Sequence, residues 1–275
     1  MSNYIPEFEF LVSTMNRTDL SFLQPMFKNM GSEKFNILVI NQTTKDEILE
    51  STEENIRVIN DFEKHLGRSR NIGIKNSIGE ICFIADDDVE YLPDTLEIVR
   101  KAYRDYPEAA MISFQYLREN NKTFKSYKTK GGYQQDLLHK QSLTSMEITI
   151  KPELLRSKEV GFNPVFSFGG RFQWFEEQVF RDDIVRAGLK IAYVPMPFVK
   201  HYGRTSVPKE GSKEYTQGIV GQKYLVHEKL IYLWIVRYIW ILLRRKSIRP
   251  SEIFKTWNYA KEAVRDYKIW DKRQN

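Results

Sequence analysis

The run Ile81-Cys82-Phe83-Ile84-Ala85 has no polar residue at alternate positions and ends abruptly in Asp86-Asp87-Asp88. A strand of that composition is buried on both faces, so the sheet that holds it must be covered by helices on either side. Further apolar runs at 9–13, 35–40, 56–59, 109–116 and 190–194 also read as strands. Between them, 19–30, 67–77 and 94–106 read as helices, the last led by Pro93 and closed by Pro107. The stretch 145–150 is strand-like, 162–175 is a glycine and aromatic loop, and 176–187 is a helix stopped by Gly188. Strands alternating with helices give an α/β fold around a central, mostly parallel sheet.

Ligands of such sheets bind beyond the carboxyl ends of the strands. Three polar clusters fall there: 14–17, 41–44 and 86–88. The chain has 275 residues, which suits one large domain or a domain with an appendage. The expected division is 1–215 and 216–275. A net charge of +6 permits an anionic partner without selecting one. The single cysteine, Cys82, excludes a disulfide framework and reads as a buried thiol in a reducing compartment. No secretory leader opens the sequence, and no run reaches the length of a membrane span. A cytoplasmic location is therefore expected.

Three adjacent carboxylates repel one another unless a cation or hydrogen-bond donors compensate them. Hard oxygen ligands suit Mg²⁺ or Mn²⁺. At a strand end, alternation would send Asp86 and Asp88 to one side and Asp87 to the other. A solvated acidic loop capping the next helix is the plainer alternative.

The stretch GRSRNIGIKNSIGEICFIADDDVEYLPDTLE (67–97) resembles the core of family-2 glycosyltransferases of the GT-A fold. The resemblance continues in FNPVFSFGGRFQWFEEQVFRDDIVRAGLKIAYVPMPFVKH (162–201), and the motifs together span about 8–205. It implies a Rossmann-like domain that binds a nucleotide-sugar, a divalent metal (Mn²⁺ or Mg²⁺), and an inverting transfer to a glycan or lipid-linked glycan. Asp88 resembles the metal-binding acid. Asp86 resembles the acid that meets the ribose or shares the metal shell, and Asp87 lies beside it in the nucleotide site. Thr14, Asn16 and Arg17 resemble the nucleotide-cradling edge. Arg70 resembles the arginine near base and diphosphate, or else makes a surface salt bridge. His201, expected just beyond a strand, resembles the residue that completes the metal shell, or else is structural. This sequence departs from the family at Asn41-Gln42, where many members carry an acid that reads uracil. An amide can also pair with a pyrimidine edge, so Asn41 is the candidate base contact. UDP is the expected nucleotide from the resemblance to the family alone and not from these residues.

Inverting transfer needs a general base for the acceptor hydroxyl. The resemblance puts it in the Glu176-Glu177 pair. Neighbours on a helix diverge by about 100°, so one faces the sugar; Glu177 is favoured over Glu176. Asp182 and Asp183 read as a solvated face. Phe172 and Trp174 either stack on sugar or fill the core.

Residues 225–249 are different in kind. The segment 230–243 is apolar apart from Arg237, rich in Tyr and Trp, and followed by Arg244, Arg245, Lys246 and Arg249. It suits a helical C-terminal extension lying on a membrane surface, or packed on the domain or an oligomer partner. No nucleic-acid partner is expected. The competing activities are a sugar-nucleotide nucleotidyltransferase and a non-catalytic glycan-binding protein. The first would need a glycine-rich loop after the first strand, and STMNRTDLS has no glycine.

Overall fold

The computed structural model describes residues 5–134, 142–203 and 208–271. In chain order the first elements are β1 (Phe8–Met15), α1 (Leu23–Phe27), β2 (Asn36–Gln42), β3 (Ile56–Asp61) and α2 (Leu66–Asn76). Next come β4 (Ile81–Asp86), β5 (Val89–Tyr91), α3 (Thr95–Asp105), β6 (Ala109–Arg118) and β7 (Gly132–Tyr133). Then follow β8 (Ile148–Ile150), α4 (Pro152–Arg156), α5 (Glu176–Arg186) and β9 (Lys190–His201). The chain closes with α6 (Lys213–His227), α7 (Ile231–Arg244) and α8 (Ile253–Asp271).

Two compact units emerge from the contacts, and α5 begins in one and ends in the other. The first holds the described residues up to Phe162 together with 180–203; the second holds 163–179 and those from 208 onward.

The first unit is a nine-stranded sheet in the order β3-β2-β1-β4-β8-β6-β9-β5, with β7 on β9. Its long ladders, β1–β2, β2–β3, β1–β4 and β6–β9, are parallel. The antiparallel ladders are two or three residues long. The sheet is mostly parallel, as the unbroken apolar runs require. Phe8, Phe10, Phe83 and Ala85 feed one core cluster; Leu11, Cys82 and Ile84 feed another with Ile74, Phe180 and Ile184 from α2 and α5. Adjacent residues of one strand thus enter opposite cores. Phe83 is fully buried, worth roughly 1.5–3 kcal/mol relative to exposure.

Several boundaries differ from expectation. The helix expected over 19–30 shrinks to α1. Asp19 Oδ1 accepts from Ser21 N at 2.8 Å, a turn that competes with helix, and Pro25 has no N–H to give. α3 begins at Thr95 with Asp94 as its N-cap, so Pro93 lies outside it. The strand-like 145–150 divides into a 3₁₀ turn, Ser145–Glu147, and β8. β9 runs through Pro195 and Pro197 to His201, with register shifts in its ladder to β6. Between β6 and the 3₁₀ turn, Lys125 Nζ (2.8 Å) and Tyr127 Oη both bond the buried Glu147 carboxylate. Residues 135–141 lie outside the described residues.

The second unit has its own core. Phe166, Phe172 and Val179 pack with Val220, Ile235, Leu242 and Val264 from α6, α7 and α8.

Candidate active site

Parallel register sets Ser13 beside Asp86, Thr14 beside Asn41, and Asn41 beside Asn60. The polar ends of four strands therefore lie together. The expected alternation of the aspartates is not found. β4 stops at Asp86, and Asp87-Asp88 form the turn into β5, so the period of two ends before they are reached. Each carboxylate meets a different partner. Asp86 accepts from Arg70 Nη2 at 2.9 Å and from Ser145 Oγ at 2.7 Å. Asp87 accepts from Arg17 Nη2 at 2.8 Å and Nε at 3.0 Å, and from Thr14 Oγ1. Asp88 Oδ2 lies 3.0 Å from His201 Nε2. The clustered negative charge is compensated locally, one carboxylate at a time.

Arg17 is positioned by its backbone. Asn16 has φ +52°, a region asparagine tolerates, and its N–H donates to Gln42 O at 2.9 Å. Asn41 is fully buried; its Oδ1 accepts from Arg17 N (3.1 Å), and its Nδ2 donates to Arg17 O (2.9 Å) and Asn60 Oδ1 (3.1 Å). Asn41 thus clamps the Arg17 backbone through both its amide oxygen and one amide proton, while its other bond ties it to β3. Arg70 is buried rather than on the surface, with its guanidinium 5.3 Å from the Phe162 ring centroid.

His201 is the last residue of β9, not beyond the strand. Antiparallel pairing sets it opposite Val89, which brings it to Asp88. The hydrogen bond to Asp88 raises the imidazole pKa against the opposing effect of burial; the same bond lowers that of Asp88. One carboxylate oxygen and one imidazole nitrogen suit Mn²⁺ or Mg²⁺, which take few protein ligands when phosphate oxygens and water complete the shell. A Cβ at Gly203 would lie 2.7 Å from His201 Nε2 and 2.9 Å from Asp88 Oδ2, so glycine keeps that cradle open. Among the described residues no group of three His, Cys, Asp or Glu is arranged to hold a metal. Asp86, the third expected ligand, is turned to Arg70 and Ser145.

Glu176 and Glu177 open α5, where the helix N-terminus favours carboxylates. Glu176 is 5% exposed, whereas Glu177 is half-buried. Asp182 departs from the expected solvated face: it is 3% exposed and pairs with Arg181 at 3.1 Å. Asp183 pairs with Arg186. Phe172 is a core residue, its ring centroid 5.1 Å from that of Phe166.

Four residues at this end of the sheet were not singled out from sequence. Ser145 holds Asp86 but belongs to no motif. Asp61 ends β3 and accepts from Arg68 Nε at 3.0 Å, and strand-end polarity could have flagged it. Gly203 lies against His201 and Asp88 and belongs to no motif. Buried Glu90 binds Tyr202 Oη (2.8 Å), Lys28 Nζ (2.7 Å) and Asn29 Nδ2 (2.8 Å), anchoring the segment after His201.

The family model for glycosyl transferase family 2 matches residues 10–179. The chain belongs to glycosyl transferase family 2. Solved structures of S. aureus TarS share the GT-A fold of this family-2 chain. TarS 1–349 in complex with UDP-GlcNAc is 15% identical with a TM-score of 0.60, over 95% of this chain and 80% of that one. TarS 1–349 in complex with UDP is 14% identical with a TM-score of 0.57, over 98% and 92%. TarS 1–349 alone is 13% identical with a TM-score of 0.58, over 94% and 81%. No curated protein matches the chain.

Proposed function

We propose that this family-2 protein transfers a hexosyl or N-acetylhexosaminyl group from a UDP-sugar to a hydroxyl of a glycan or lipid-linked glycan, with inversion at the anomeric carbon. The observation that carries the reading is the Asp88–His201 pair, open at Gly203, beside the Arg17–Asp87 and Arg70–Asp86 ion pairs at the ends of one parallel sheet. The TarS complexes with UDP and UDP-GlcNAc support the choice of nucleotide and donor.

Arg17 and Arg70 would supply positive charge to the diphosphate while their aspartates fix their direction. Asp88 and His201 would hold Mn²⁺ or Mg²⁺, which neutralises charge on the departing diphosphate when bound. Asp86, Asp87 and Thr14 would line the nucleoside side, and the Asn41 clamp sets the Asn16-Arg17 loop against it. Glu177 would take the proton from the acceptor hydroxyl as the new glycosidic bond forms and the bond to UDP breaks. Its partial exposure supports it over buried Glu176, which serves the helix start. A lipid-linked acceptor would set the reaction at the cytoplasmic face of a membrane, with the protein peripheral to it.

The test is thermal stability against a panel of nucleotides, each with and without Mn²⁺, followed by assay of UDP release from UDP-sugars. A ligand that binds only the folded state raises the melting temperature. A Mn²⁺-dependent shift with uridine nucleotides, and release of UDP from UDP-sugar, is expected. No shift with any nucleotide would overturn the proposal; formation of UTP and a sugar-1-phosphate from UDP-sugar and added pyrophosphate, without UDP release, would favour a nucleotidyltransferase.

A further inference from the structure

We infer that the second unit carries a docking surface for an anionic phospholipid bilayer, formed by the outer face of α7 and the basic groove beside α8. The inner face of α7, with Ile231, Ile235, Tyr238 and Leu242, is buried in the unit's core. The opposite face is also apolar and lies bare. Leu233 is 68% exposed, and Val236 and Trp240 follow it at helical spacing. Leu230 precedes this stripe, and Phe254, at the start of α8, is 82% exposed. A helix apolar on both faces needs a second apolar environment.

Charge selects that environment. Segment 229–251 contains six lysines and arginines and no aspartate or glutamate. Among the described residues Lys229, Arg237, Arg244 and Lys246 have no carboxylate partner; the Arg244 guanidinium instead lies 4.9 Å from the Trp240 ring centroid. Beside Tyr232, a groove of about 530 Å³ adds Lys261, Arg265 and Lys268 next to Ile269. Its one carboxylate, Glu262, is already engaged by Lys213 and Gln217. A second copy docking through this face about a two-fold axis would set cations against cations. An anionic bilayer instead takes both parts: apolar side chains enter the acyl boundary, while arginines and lysines meet phosphate, the long side chains snorkelling to reach it. The inference deepens the reading of a membrane-surface transferase and rests on it for its purpose. Vesicle binding is read without any sugar transfer, so either can fail alone.

The experiment is co-sedimentation of the full chain with vesicles of phosphatidylcholine alone and of phosphatidylcholine mixed with phosphatidylglycerol, across a salt series. Wild type is expected to sediment with the mixed vesicles only, and less so as salt rises. Two double variants divide the surface: Leu233→Ser with Trp240→Ser, and Arg237→Gln with Arg244→Gln. All four side chains are exposed, so melting temperatures should hold. Each arginine is expected to account for roughly fivefold in partitioning. Wild type left in the supernatant with mixed vesicles, equal binding to neutral vesicles, or unchanged binding by both variants would overturn the inference. So would a solution dimer that the Leu233→Ser variant splits, which would give the face to a second copy.

Discussion

His201 Nε2 stands 3.0 Å from Asp88 Oδ2 because β5 folds back against β9 with Val89 opposite His201. Two residues more than a hundred positions apart meet through a three-residue ladder. If this pair is the metal site, Asp88→Asn and His201→Ala should each weaken Mn²⁺ binding on the order of tenfold or more in the presence of UDP. Asp88 is half-exposed, so the cost in stability should stay within about 1 kcal/mol. Calorimetric titration of Mn²⁺ checks the first part and thermal melting the second. Unchanged Mn²⁺ affinity in both variants would remove the metal from this pair.

Gly203→Ala separates space from ligand chemistry. It leaves both candidate ligands intact but puts a methyl group where His201 Nε2 and Asp88 Oδ2 now approach. The pair must move apart, at a packing cost of about 1–3 kcal/mol if the segment cannot shift. We expect Mn²⁺-dependent nucleotide binding to fall while metal-free binding holds. Equal loss of both would mean that Gly203 serves the nucleotide directly.

The sheet was legible because its strands are apolar at consecutive positions, and double-sided burial leaves no other fold for them. The polar ends of those strands were legible for the same reason: they are where apolar pattern stops. What was not legible depends on the turn after β4. Period-two alternation made Asp86 and Asp88 partners; a turn starting at Asp87 sends each aspartate elsewhere. Ser145 could not be found from sequence, because its bond to Asp86 crosses 59 positions and carries no spacing signal. Asn41 was expected to face the base, yet its amide binds the Arg17 backbone, a role set by parallel register between β1 and β2.

Ser145→Ala removes the hydroxyl partner of Asp86 and leaves Arg70 in place. The loss should be about 1 kcal/mol of stability. If Asp86 then rotates, the Michaelis constant for the donor should rise several-fold while turnover at saturation changes little. Steady-state kinetics over donor concentration checks this. A fall in turnover alone would mean that Ser145 acts on the chemical step.

Cys82 gives a pH signature of the folded core. Burial, and then the neighbouring Glu9 carboxylate, push its thiol far above the ordinary value of 9.0. The unfolded chain therefore loses this proton first. The thiol's contribution to stability is complete below about pH 9 and declines as pH rises towards the folded value. Disulfide-exchange labelling at pH 7–9 should be slow in the native protein and fast in denaturant. Rapid native labelling would show that the β4 core opens.

Glu177 and Glu176 can be told apart by what each substitution leaves behind. Glu177→Gln keeps size and hydrogen bonding but cannot accept a proton. If it is the base, turnover should fall about 10²- to 10⁴-fold with donor affinity unchanged. Glu176 is buried at the first turn of α5, so Glu176→Gln should show chiefly as a lower melting temperature, with loss of helix-end charge stabilisation of about 0.3–1 kcal/mol. Single-turnover kinetics with a saturating donor isolates the chemical step from binding. A large loss in Glu176→Gln with near-normal turnover in Glu177→Gln would reverse the assignment. Comparable losses in both would mean that the two carboxylates act as one unit at the helix start.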